Sequence, residues 1–246
     1  MLDRSTLVHM LAELTGSKVS AVERNLSLRL AGLIGLSDSI TLARALKQLP
    51  DTSAAQNFAN TSTIQEDVLA SRERMLTMIS RSFSPDIETM PVRVPSANAG
   101  VKADALLVYQ PYQRFYITHQ VEMAAGIQSL RERVRQALAA ASPQMHKLAV
   151  LDRIVDDSIT IQSRKLFSVT PKILERSFEQ LLAEHLEQDA LTEEASDSEV
   201  SEWLAPGGWL ARFYDNMREL LFAEFDVRLQ PVLGLLEALN EQVTDT

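Results

Sequence analysis

Residues 111–141 read PYQRFYITHQVEMAAGIQSLRERVRQALAAA, and this stretch decides the fold. Its residues return on a heptad-like period. Tyr116, Met123, Leu130 and Ala137 lie seven apart, and Gln120, Ile127, Val134 and Ala141 interleave with them at the same spacing. Such a period is that of a helix with one apolar seam, which other helices must cover. Pro111 suits a first turn, where its missing N–H is no loss, and Ser142-Pro143 ends this helix and caps the next. At 1.5 Å per residue the helix would be about 45 Å long, so the expectation is an all-α, elongated antiparallel helical bundle built along it.

The flanking chain continues the pattern. After Pro143, Met145, Leu148, Leu151, Val155, Ile159 and Leu166 keep one helical face apolar, while Lys147, Asp152, Arg153, Asp156, Asp157, Arg164 and Lys165 are assigned to the solvent face. Asp156 and Asp157, adjacent on that helix, point about 100° apart and make a poor proton-sharing dyad. Thr170-Pro171 repeats the cap-plus-proline start, and Leu174, Phe178, Leu181, Leu182 and Leu186 mark the helix that follows. The last helix opens at Trp209-Leu210 and meets Pro231, which must kink it or start a new turn before Val232, Leu235, Leu236 and Leu239 resume the pattern.

Upstream, residues 1–50 predict a small three-helix unit, with apolar positions at Leu7–Leu14, Val22–Leu33 and Ile40–Leu49. Residues 51–82 read as a loop and a fourth helix, capped by the Thr63/Glu66 box. Residues 83–103, with Pro85, Pro91, Pro95 and Gly100, read as a linker, and residues 104–246 as the long-helix bundle with an acidic loop at 187–205.

The net charge of −9 is unevenly placed: residues 1–110 hold 11 basic and 11 acidic side chains, 111–176 hold 10 and 6, and 177–246 hold 3 and 16. Within the acidic segment, Glu187, Asp189, Glu193, Glu194, Asp197, Glu199 and Glu202 occur with no base between them. A solvated loop is the plain account of such a run. The sharper account is a docking surface for a basic partner protein, or for the positive middle of a second copy in a homo-oligomer.

Chemistry is bounded mostly by what the sequence lacks. With no cysteine, thiolate nucleophiles, disulfides and cysteine-ligated zinc are excluded. The N-terminus Met1-Leu2-Asp3-Arg4 lacks a secretory h-region and no window approaches the roughly 18 apolar residues a spanning helix needs, so a cytoplasmic protein is expected. Phosphate-loop, GxSxG, kinase and HExxH patterns do not occur. Of the four histidines only His119 opens a His-x-x-Glu pair, with Glu122, and a hydrogen bond on the helix surface accounts for that pair. No catalytic residue, cofactor or metal ligand is assigned.

Two other readings stand beside a protein-binding one. Tyr112, Phe115, Tyr116 and His119 bring aromatic and ionisable groups to one end of the long helix, where they either line a ligand pocket between helices or fill the bundle with their hydroxyls reaching water. Arg131, Arg133, Arg135, Lys147 and Arg153 are the candidate nucleic-acid contacts, ranked last because the first three do not share one helical face. The three N-terminal helices invite a helix-turn-helix reading, but Lys18, Arg24, Arg29, Arg44 and Lys47 against Glu13, Glu23 and Asp38 are too dilute a charge for phosphate contacts.

The runs PYQRFYITHQVEMAAGIQSLRERVRQALAAASP at 111–143 and PGGWLARFYDNMRELLFAEFDVRLQPVLGLLEAL at 206–239 resemble an uncharacterised proteobacterial family of helical cytoplasmic proteins, known as a domain of unknown function. Genes of that family often neighbour those of MotA/TolQ/ExbB-like and OmpA/MotB-like envelope proteins. The resemblance implies an accessory role in a membrane-associated, ion-driven assembly of the kind used in antiphage defence, and transfers no active residue. Together these features lead to the expectation of a non-enzymatic adaptor or scaffold that meets other proteins, including cytoplasmic parts of an envelope complex.

Overall fold

The computed structural model describes residues 4–15, 61–84, 92–95, 106–188 and 197–244. Among these there are seven α-helices and no strand: α1 (Arg4–Thr15), α2 (Thr61–Ser82), α3 (Gln110–Ala141), α4 (Pro143–Phe167), α5 (Thr170–Gln188), α6 (Asp197–Leu204) and α7 (Trp209–Thr244). The fold is all-α. The second and third helices expected within residues 1–50 lie outside the described residues.

Local chemistry sets the helix ends. The Tyr109 carbonyl accepts from Gln113 N–H at 3.1 Å, so α3 opens one residue before Pro111, whose ring sits in the turn that needs no donor. Ser142 alone separates α3 from α4. Its hydroxyl accepts from Met145 N–H at 3.2 Å and its carbonyl from His146 N–H at 2.8 Å, which makes it a side-chain N-cap. At α5 the Val169 carbonyl, one residue earlier than the Thr170-Pro171 pattern suggests, receives Lys172 and Ile173 at 3.1 and 3.2 Å. Pro231 lies inside α7, which runs through it as one helix.

The residues gather into two compact units. Unit 1 holds Met1–Val19, Leu76–Met123 and Ser168–Phe225, and unit 2 holds Ser20–Met75, Ala124–Phe167 and Asp226–Thr246. The division thus runs through α2, α3 and α7, and of the segment 83–103 the structure describes 83–84 and 92–95. The described part of that segment belongs to unit 1: Val94 is buried, its N–H bonds the Ser82 carbonyl at 2.9 Å, and the Tyr214 hydroxyl donates to the Pro95 carbonyl. Pro95 is compatible with such a packed, non-helical strip because its ring fixes φ and removes a donor that would need a partner.

In unit 1 the core is aromatic. Tyr112 of α3 meets Phe213 of α7 edge-on at 5.4 Å, Phe178 of α5 meets Phe213 at 5.1 Å, and Trp209 meets Phe178 at 5.6 Å. Edge-to-face contacts of this kind set ring orientation as well as burying area. α1 packs against α5, with Leu7 and Ala12 buried. In unit 2 the core is aliphatic, with Val68 of α2, Leu130, Val134 and Leu138 of α3, and Leu229, Val232 and Leu239 of α7.

The buried stripe of α3 departs from the heptad reading. Tyr112, Met123 and Val134 are buried, as are Tyr116, Ile127 and Leu138, and His119, Leu130 and Ala141, each set at eleven-residue intervals. Eleven residues in three turns is about 3.67 per turn, close to the natural α-helix, so this stripe needs no left-handed supercoil. Gln120 and Ala137, which the heptad placed inside, are only partly buried.

The acidic loop expected at 187–205 is helical at both ends. Glu187 and Gln188 close α5, and Asp197–Leu204 form α6. Val200 and Trp203, three apart and both buried, give that short helix an apolar side.

Candidate functional site

In unit 2, α3 and α4 form a hairpin around Ser142, and four charged side chains meet between them. Arg131 and Arg135 are four apart on α3 and share a face, and Asp152 and Asp156 do the same on α4. Arg131 reaches Asp152 with Nη2 at 2.5 Å and Nε at 2.8 Å, and Asp156 with Nη1 at 2.6 Å. Arg135 reaches Asp152 with Nε at 2.7 Å and Asp156 with Nη2 at 2.8 Å. Each guanidinium therefore touches both carboxylates, and the side chains retain 3–11% of their exposure. Gln128 Nε2 donates to Asp156 at 3.1 Å. Burial by itself favours loss of the Arg135 proton, but the carboxylates of Asp156 and Asp152 outweigh it and raise its pKa.

This closed quartet corrects the solvent-face assignment of Asp156. Asp156 is buried, not solvated, while its neighbour Asp157 is exposed. Arg131 and Arg135 share a face, although Arg133 does not, and both guanidiniums are occupied by carboxylates. Arg133 bonds Asp67 of α2 at 2.7 Å, which lowers the Asp67 pKa, and Arg153 bonds Glu132 at 2.6 Å. Of the five basic residues considered for nucleic acid, these four are paired within the hairpin or to α2, and Lys147 is half-buried with a partner of its own.

In unit 1 a second polar cluster sits between α3 and α7. Glu224, fully buried, accepts from the Tyr116 hydroxyl at 2.9 Å and from Gln120 Nε2 at 3.0 and 2.9 Å. Tyr112 donates to the Leu106 carbonyl at 3.1 Å, and Tyr109 to the Pro171 carbonyl. The tyrosine hydroxyls of α3 thus end on buried acceptors, not in water. Burial raises the pKa of Tyr109, Tyr112 and Tyr214 well above the usual phenol range.

The four residues marked for a ligand pocket are all buried in this unit. Phe115 lies edge-on to Phe83 at 5.1 Å and to the His119 ring at 4.6 Å. His119 is fully buried, so the pair with Glu122 is not a surface hydrogen bond. Neither ring nitrogen of His119 has a hydrogen-bond partner, nor does the buried Glu122 Oε2. Desolvation pushes the His119 pKa down to about 4. The eleven-residue stripe that includes His119 was the only sequence signal for its burial.

The acidic candidates are spread along the end of α5 and α6. Glu187 and Glu202 are exposed, Glu199 is partly exposed, and the α6 backbone carries Asp197. Asp189, Glu193 and Glu194 lie outside the described residues. Among the described residues no three histidine or carboxylate side chains are grouped so as to hold a metal ion, and no helix is long and apolar enough to cross a membrane.

A family model described as a protein of unknown function (DUF3348) matches residues 1–241. The chain belongs to the DUF3348 family. No curated protein and no solved structure matches it. The DUF3348 match spans both the quartet and the Glu224 cluster.

Proposed function

We propose that this chain is a non-enzymatic helical adaptor that meets partner proteins through its surface, with the acidic face near α5 and α6 taking a basic segment. The observation that supports this most is the internal use of the ionisable groups that converge: Arg131, Arg135, Asp152 and Asp156 close on one another, and Glu224 is held by Tyr116 and Gln120. Groups bound in this way are poorly placed to bind substrate. Outside, Glu187 and Glu202 remain exposed in a region that holds 16 acids against 3 bases. On this reading the protein works in the cytoplasm, as an accessory to a membrane-associated, ion-driven assembly of the antiphage-defence kind.

The test is affinity purification of tagged full-length chain from its native host, beside a variant carrying Glu187→Gln, Glu193→Gln, Glu194→Gln and Glu202→Gln. Loss of the captured partner, with unchanged helical circular dichroism, is expected. Equal capture by the neutralised variant overturns the acidic docking face.

A second reading is favoured by one observation, the unpartnered nitrogens of buried His119 beside the unpartnered Glu122 Oε2. A small ligand between helices near Tyr112 and His119 would supply those partners. Thermal-shift screening against nucleotides and metabolites tests it, because a ligand of the native state raises Tm by mass action and a panel without effect removes the reading.

A further inference from the structure

α4 offers two different sides for burial, and they compete. One is the leucine side, Leu148, Leu151, Val155 and Ile159; the other carries Ala149, Asp152 and Asp156. At 100° per residue their centres are about a quarter of a turn apart. Burial of apolar area alone selects the leucine side. The structure has the opposite result: Ala149 and Asp156 are buried, while Leu148, Leu151, Val155 and Ile159 are each only partly covered.

We infer that the Arg131/Arg135/Asp152/Asp156 quartet is a rotational clamp, which holds α4 rolled with its carboxylate side against α3 and keeps its leucine side from turning inward. The pairing is antiparallel and in register, Arg135 opposite Asp152 and Arg131 opposite Asp156, so all four charges are answered only in this one orientation. A roll of a quarter turn carries both aspartates away and leaves two arginines buried against leucine. Uncompensated buried charge is among the largest penalties available inside a protein, whereas replacing a whole buried ion cluster by apolar side chains is often neutral for stability. The clamp therefore determines orientation more than it adds stability. The one-residue turn at Ser142 limits sliding of α4 but leaves its roll to side chains.

The absence of native cysteine makes the roll measurable in the full chain. Glu132 and Arg153 flank the quartet on the side away from the leucines, 2.6 Å apart at their charged tips and partly exposed, so Glu132→Cys with Arg153→Cys reports the native roll through a short bismaleimide. In this background, Arg131→Met, Arg135→Met, Asp152→Leu and Asp156→Leu together are expected to leave helicity and Tm near the parent value and to lower the cross-linking yield several-fold. Reversing α4 alone, with Asp152→Arg and Asp156→Arg, is also expected to lower the yield. Adding Arg131→Asp and Arg135→Asp restores opposite charges and should restore it. Should the apolar variant not fold, the reversal and its rescue decide the matter. Parent-level cross-linking in the apolar or α4-reversed chain, or no recovery on double reversal, overturns the clamp.

Discussion

Arg131 and Asp156 stand opposite each other on the α3–α4 hairpin, Nη1 to Oδ1 at 2.6 Å, although 25 positions separate them along the chain. Their side chains keep 8% and 9% of their exposure, so each is the other's replacement for water. That dependence makes the loss of one partner far more damaging than the pair is stabilising.

Asp156→Ala or Arg135→Ala should each lower the unfolding free energy by about 3–5 kcal/mol, the range for breaking a buried pair from one side. Arg153→Ala removes a half-exposed pair with Glu132 and should change it by less than about 1 kcal/mol. Urea denaturation followed by circular dichroism separates the two classes, and similar losses for all three would refute the distinction.

Tyr116→Phe takes a hydroxyl donor from the fully buried carboxylate of Glu224 and leaves the ring in place. A cost of about 1–3 kcal/mol is expected, since the desolvated acceptor finds no water in exchange. Gln120→Leu removes two further hydrogen bonds at the same group, so the double variant should be non-additive in a mutant cycle. Additive losses would show that the cluster does not act as a unit.

His119 titrates near 4 when folded, against about 6.5 for an exposed imidazole. Its folded pKa is depressed, so the unfolded chain binds the proton first. The stabilisation from keeping the ring neutral is complete above about pH 6.5 and is lost as pH falls towards 4, at most about 3 kcal/mol in total. His119→Phe should flatten that part of the stability profile between pH 7.5 and 5. A variant whose urea midpoint falls as steeply as the parent's over this window would contradict it.

Gly208 cannot take a side chain where it stands: a Cβ there would lie 2.3 Å from the Trp203 carbonyl oxygen and 2.5 Å from that of Glu202. Gly207, at φ +89°, meets no such obstacle but occupies a backbone region that disfavours other residues. Gly207→Ala should cost about 1–2 kcal/mol. Gly208→Ala should cost more, because the turn between α6 and α7 must move. Both tryptophans flank this turn, with ring centroids 5.8 Å apart, so intrinsic fluorescence should shift for Gly208→Ala. An unshifted spectrum with parental Tm would show that the turn yields easily.

The helix ends were legible in the chain because they depend on neighbours in sequence. Pro111, the Ser142-Pro143 step and the Gly207-Gly208 pair act on φ, on N–H supply and on capping within a turn of where they stand, and α3, α4 and α7 begin or end accordingly. The all-α class follows from the same local terms added over long apolar periods. What lies across from a residue is not a local property. Arg131 and Arg135 are four apart, as are Asp152 and Asp156, yet only the packed hairpin brought the two pairs within 2.5–2.8 Å and turned four expected surface charges into an interior cluster. Likewise Val200 and Trp203 made a helix inside an acidic run, and His119 entered the core, because burial depends on which other surfaces arrive. Charge and apolar area compete for the inside of a helix pair, and the winner is settled by the partner's side chains, which one helix's periodicity does not contain.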